Sequence, residues 1–266
     1  MKSSCTTTLL RRVGTGFAVA LAALTATSAQ AAIPADQRQF LIDFYNHTNG
    51  PTWTVQNGWL GAPGTECTWI GVTCDGGQTT VVALSVQSNN LTDPVGAVLP
   101  DWSALTGIRT INLSGNNLAG RLPPIAGLPE LRVLNVSNND LQGTLPSPAG
   151  LTHFFLYHAH NNQFTGSLPA LPPTVEQLRV ENNQLTGPLP APPAALVADA
   201  SALCPNQLTP STSAAWDKAT GSTPWYAACS APPAATPVPT LGEWALILLS
   251  LAAATLGMGA LRRKNF

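Results

Sequence analysis

The sequence lacks most of what an enzyme needs. No G-x-S-x-G, no H-E-x-x-H and no glycine-rich phosphate loop occurs, and no acid pair stands at a recognisable catalytic spacing. The four histidines have no evident nucleophile partner. These absences read as a chain without catalytic residues and without a cofactor. Basic residues are scarce too. Between residues 32 and 240 six of them face twelve acids, a net charge of −6, which argues against nucleic acid as a partner. Cysteine is sparse: apart from Cys5 there are only Cys67, Cys74, Cys204 and Cys229. They fall as two close pairs, so Cys67 is paired with Cys74 and Cys204 with Cys229. Closing loops of this size stabilises by roughly 2–4 kcal/mol each.

What the chain does have is repetition. Ile108, Ile111, Leu113, Asn116, Leu118, Gly120 and Leu122 recur as Leu131, Leu134, Val136, Asn139, Leu141, Gly143 and Leu145. The same positions return from Phe154 to Leu168 and from Val175 to Leu189, and Val81 to Leu91 opens the series. An insertion, Thr92 to Val98, delays the Leu99-Pro100 of that first copy. Two apolar residues two apart place both on the inner face of a short strand. The asparagine is the one polar group tolerated inside, where its amide can satisfy backbone groups of neighbouring turns. Glycine permits a left-handed turn, and the following proline fixes an extended return on the outside. No copy can bury its apolar side alone, so the copies stack. The pattern resembles the leucine-rich repeat.

Upstream, residues 34–50 read as a short amphipathic helix with Phe40, Leu41, Phe44 and Tyr45 on one face, ended by Asn49-Gly50-Pro51. Trp53 and Trp59 follow, then Cys67, Trp69, Gly71, Val72 and Cys74 as C-x-W-x-G-V-x-C. This stretch resembles the amino-terminal cap of plant-type leucine-rich repeat proteins, and the L-x-G-x-L-P endings resemble the same family. The resemblance implies a cap whose tryptophans are core packing rather than a carbohydrate platform. Downstream, Leu196, Ala198, Ser201 and Leu203 read as a shortened sixth repeat, and residues 204–229 as a closing cap in which Trp216, Trp225 and Tyr226 cover the last coil.

Both ends carry addresses. Residues 1–31 have the basic, apolar and Ala29-Gln30-Ala31 parts of a secretory signal, which places the mature start at Ala32. After an Ala/Pro-rich linker at residues 230–239, the run from Trp244 to Leu261 is uncharged and about 27 Å long as a helix, followed by Arg262, Arg263 and Lys264. Pro239, Thr240, Leu241, Gly242, Glu243 and Trp244 resemble the IPTL-CTERM sorting signal, with Val238 where that family has Ile. That resemblance implies a Gram-negative bacterium, a membrane contact through residues 244–261 that is at least transient, and removal of the tail by an exosortase-like enzyme. The sequons at Asn46, Asn112 and Asn135 then read as accidental.

The expected architecture is an α/β solenoid: a 32–80 cap, repeats over 81–203 with short parallel strands on the concave face, the 204–229 cap, and one C-terminal transmembrane helix in the 240–266 signal. On the concave face the columns read Asn112, Asn135, His158, Arg179, then Ser114, Ser137, His160, Glu181, with Arg109, Arg132, Phe155 and Glu176 outside them. The candidate ligand-binding residues are Arg109, Arg132, Asn135, His158, His160, Arg179 and Glu181. His158 and His160 with Glu181 could approach a metal ion, but no spacing matches a zinc motif and no metal site is assigned. The reading is an exported bacterial surface module whose concave face binds an extracellular protein or glycan in adhesion or matrix contact. The alternatives are an inhibitor of a secreted polysaccharide-degrading enzyme, as some plant-type repeat ectodomains are, and a structural surface component.

Overall fold

Apolar residues at helical spacing build the first element, and aromatic rings continue it. In the computed structural model, which describes residues 33–229, α1 spans Ala35–His47 and buries Phe40, Leu41, Phe44 and Tyr45. Asn49, at φ 57°, turns the chain out of the helix ahead of Pro51. The rings then touch in sequence: Tyr45 to Trp53 at 5.1 Å, Trp53 to Trp59 at 4.9 Å, and Trp59 to Trp69 at 5.1 Å. These tryptophans are buried, so they pack the end of the core. Arg38 lies 5.3 Å from the Trp69 ring and pairs with the buried Glu66. The short strand β1 (Val72–Cys74), antiparallel to β2 (Val81–Ser85), covers the first edge of the sheet. Cys67 and Cys74 are disulfide-bonded across this cap, as are Cys204 and Cys229 at the other end.

Each repeat then contributes one strand to a parallel sheet: β3 (Thr110–Asn112), β4 (Val133–Asn135), β6 (Leu156–His158) and β8 (Gln177–Arg179), in the order β1-β2-β3-β4-β6-β8. Equivalent positions pair in step, Ile111 with Leu134, Leu134 with Tyr157, and Tyr157 with Leu178. A second parallel sheet lies after the asparagines: β5 (Gln142–Thr144), β7 (Gln163–Gly166), β9 (Gln184–Gly187) and β10 (Gln207–Leu208). Its register slips. Gln142 pairs with Gln163, Thr165 with Gln184, and Thr186 with Gln207, each two positions from the equivalent residue in the repeat. A slip of two keeps every side chain on its own face.

This is a β-solenoid, and the α/β expectation needs correcting. Among the described residues α-helix is confined to the ends, in α1 and in α2 (Ala214–Thr220). The return segments carry Pro123-Pro124, Pro146, Pro148, Pro169 and Pro172-Pro173, which lack the amide hydrogen and clash with a preceding helical turn. A second sheet, rather than an unpaired extended path, uses the backbone groups before those prolines. At the far end Trp216 and Trp225 are buried, with indole N–H groups donating to Pro190 O and Ser211 O. The segments read as signal and membrane helix lie outside the described residues, among which no helix is long and apolar enough to cross a membrane.

Between the sheets runs the asparagine ladder. Asn139 Nδ2 donates to Leu113 O (3.0 Å) and Val136 O (3.1 Å), and its Oδ1 accepts from Leu118 N (3.1 Å), tying two coils together. Asn116, Asn162 and Asn183 repeat the arrangement. Asn206 carries it past Cys204, with Val180 O and Leu185 N as partners. Asn89 instead exchanges two bonds with the Val55 backbone and so fastens the first coil to the cap.

The Thr92–Val98 insertion docks on the second coil. Asp93 Oδ1 accepts from Ala119 N (2.6 Å) and Gly120 N (3.1 Å), and Arg121 N donates to Ala97 O (2.6 Å). A β-carbon at Gly120 would collide with Asp93 Oδ2 and stand 2.6 Å from Ala97 O. Gly143, Gly166 and Gly187 do have the left-handed φ, 81°, 78° and 80°, but Gly120 is set by this close approach.

The ladder is testable at its middle rung. Asn139→Leu should destabilise by about 1–3 kcal/mol in urea denaturation, because buried backbone groups on two coils lose their partners. A neutral result would mean that these groups find other partners.

Candidate functional site

On the concave face the last residue of each strand pairs with the residue two positions beyond it in the same coil. Ser114 Oγ donates to Asn112 Oδ1 (2.8 Å), and Ser137 Oγ donates to Asn135 Oδ1 (2.8 Å). One coil further the pair is His158 and His160, with rings 6.0 Å apart, and the next is Arg179 and Glu181, ion-paired at 2.5 Å. Strand pairing sets Asn112, Asn135, His158 and Arg179 side by side in one row.

The chemistry changes along that row. The Asn–Ser pairs are internally satisfied. In the last two pairs, His158 Nε2, His160 Nδ1 and Glu181 Oε2 are buried without a hydrogen-bond partner. Glu181 is only 7% exposed, whereas the Arg179 side chain that holds its other oxygen is 45% exposed. Burial lowers the pKa of both histidines. For His158 the His160 ring and Arg179 add to the depression, while Gln177 and Glu181 oppose it. For His160, Glu181 opposes and Arg179 adds. The pair is therefore neutral imidazole at neutral pH, able to donate or accept by choice of tautomer.

Glu181 turns to Arg179 of its own coil. Among the described residues no group of three or more His, Cys, Asp or Glu side chains is placed to hold a metal ion. The structure thus joins His158 with His160 and Arg179 with Glu181. No contact among the described residues joins Arg109 or Arg132 to them. Both arginines are exposed and sit one residue before the strands, off the alternation that sets 110 and 112 on one face.

Comparison with known families decides what the coils are. Residues 34–75 match the leucine rich repeat N-terminal domain, and residues 107–127 and 130–153 match the leucine rich repeat. The coils over residues 107–153 are leucine-rich repeats. The IPTL-CTERM motif matches residues 236–263. Among solved structures the chain is similar to the BIR2 ectodomain from Arabidopsis thaliana, at 24% identity over 67% of this chain and 96% of that one, TM-score 0.48. It is also similar to the BIR3–SERK2 complex from the same plant (23%, 66% and 92%, TM-score 0.47) and to its SOBIR1 receptor-kinase ectodomain (22%, 60% and 86%, TM-score 0.46). No curated protein matches in sequence.

One column of the leucine-rich repeat face escaped the sequence reading. Ala83, Thr110, Val133, Leu156 and Gln177 pair in register and are half-buried, next to the Asn–His–Arg row. The alternation of 110 with 112 was the signal for it. This column floors the site with small and apolar side chains, and Gln177 acts on His158.

Neutral half-buried histidines make stability depend on pH. Their folded pKa values lie below the ordinary ~6.5, so below that pH the unfolded chain takes up protons that the folded chain resists. Stability should fall as pH drops from about 6.5 toward 5, read by thermal melts across that range. Asp93, raised by burial, contributes with the opposite sign in the carboxylate range. Replacing His158 and His160 together by Gln should flatten the slope between about pH 6.5 and 5. An unchanged slope would place its origin elsewhere.

Proposed function

We propose that the chain is an exported binding module of a bacterial surface, and that the concave face around His158, His160, Arg179 and Glu181 holds an extracellular protein or glycan ligand. The observation that carries this reading is the set of three buried polar atoms without partners at one end of a face whose other pairs are satisfied. An unpaired buried polar group costs on the order of 1–3 kcal/mol, a cost that a ligand hydrogen-bonding there would remove. Arg109 and Arg132 stand exposed one residue before their strands, and we assign them guanidinium contacts at the rim of the ligand. The IPTL-CTERM match supports export and a sorting step, which we assign to an exosortase-like enzyme acting near Thr240, with residues 244–261 in the membrane until then.

Two measurements test these assignments. With extract from the native host as the source of ligand, His160→Ala and Arg132→Glu should each weaken retention by about tenfold without lowering the melting temperature. Arg121→Glu, outside the concave face, should leave retention unchanged, and equal loss from all three would remove the concave site. Intact mass of the mature protein from its host should end near Thr240; a chain running to Phe266 would make the tail an anchor only.

A further inference from the structure

The second sheet presents an exposed face with unusual chemistry. Its outward residues are Gln142 and Thr144 on β5, Gln163 and Thr165 on β7, and Gln184 and Thr186 on β9, continued by Gln207 on β10. Every one is an amide or a hydroxyl. The inward Phe164, Leu185 and Leu208 between them are buried. The nearest charges, Arg121 and Asp140, stand at the first edge, where Gln163 Nε2 donates to Asp140 Oδ1 (3.3 Å).

We propose that this sheet is a second binding face, for an uncharged, extended β-linked polysaccharide of the cellulose or chitin kind. With charge confined to its first edge, the face has little to offer a polyanion or a membrane surface. Without aromatic rings or arginine at its centre it lacks the anchors of a protein interface. A glutamine amide offers one acceptor and two donors and a threonine hydroxyl offers both, which matches the paired hydroxyls of a sugar ring. Neighbouring strands lie about 4.8 Å apart, close to the length of one sugar in an extended β-linked chain. A polymer lying across the strands would therefore meet one Gln–Thr pair per coil. Thr144 pairs with Thr165 and Thr165 with Gln184, so the slipped register sets these side chains in continuous rows across the coils. Each bond gains little over water, so retention depends on repetition along a polymer rather than on a single sugar.

The test is sedimentation of the full-length chain with microcrystalline cellulose and, separately, with chitin. Retention should occur on at least one, should persist at high salt because no ion pair is involved, and should be competed by the soluble oligosaccharide of the same polymer. The exposed pair Thr165→Glu with Thr186→Glu should weaken retention by about tenfold at an unchanged melting temperature, and Gln163→Lys provides a second variant if that pair folds poorly. His160→Ala and Arg132→Glu should leave it intact, which separates this face from the concave site. No retention on either polymer, or retention indifferent to both sets of variants, would overturn the proposal.

Discussion

At Asn116, Asn139, Asn162, Asn183 and Asn206, one amide per coil reaches backbone groups that neither sheet can satisfy. The coil has to turn inside its own apolar stack, and a turn there strands N–H and C=O groups away from water. A side chain that donates to two carbonyls and accepts one N–H closes the turn and joins it to the coil before. Leucine could fill the same volume but could not make those bonds. The spacing of the coils, the in-step register of the first sheet and the position of every concave side chain follow from this shared rung.

Given that register, the surfaces are consequences rather than additions. Outward residues on the concave strands meet their own second neighbours, so each coil presents a pair, and the pairs grade from Asn–Ser to His–His to Arg–Glu. The stack needs only the inward Leu, Ile, Val and Tyr, which leaves the paired positions free to vary in chemistry without cost to the core. The same freedom applies to the outer sheet, where the chain uses it in the other direction and keeps one Gln–Thr chemistry over three coils. Repetition with variation on one face and without it on the other is what separates the two surfaces.

The repeat frame was legible because its period is dictated by burial, and burial leaves a hydrophobic signature at fixed spacing. The disulfides were legible from two close cysteine pairs, and the aromatic cap from the resemblance of its C-x-W-x-G-V-x-C stretch. The outer sheet was not, because Gln-x-Thr has no burial pattern distinct from a solvated loop until a neighbouring coil pairs with it. The all-β character of the returns could have been read from Pro123-Pro124 and Pro172-Pro173, whose local effect outweighs any family expectation of helix. The row of Asn112, Asn135, His158 and Arg179 was legible from the strand alternation, whereas Arg109 and Arg132 stand off it and the partner of Glu181 was not legible. An ion pair two residues away along the strand competes better than a histidine on the next strand, and sequence spacing does not rank those contacts.

The motif glycine holds one letter for two different physical situations. At positions 143, 166 and 187 it relieves a backbone torsion, whereas at position 120 it leaves a vacancy that Asp93 of the inserted loop occupies. A stack with an ordinary glycine at that site can accept such a loop at no steric cost. Once the loop is seated, the glycine can no longer change without evicting the carboxylate and the two amides it holds. Insertion and glycine are thus coupled: a side chain at position 120 and the seated loop exclude each other.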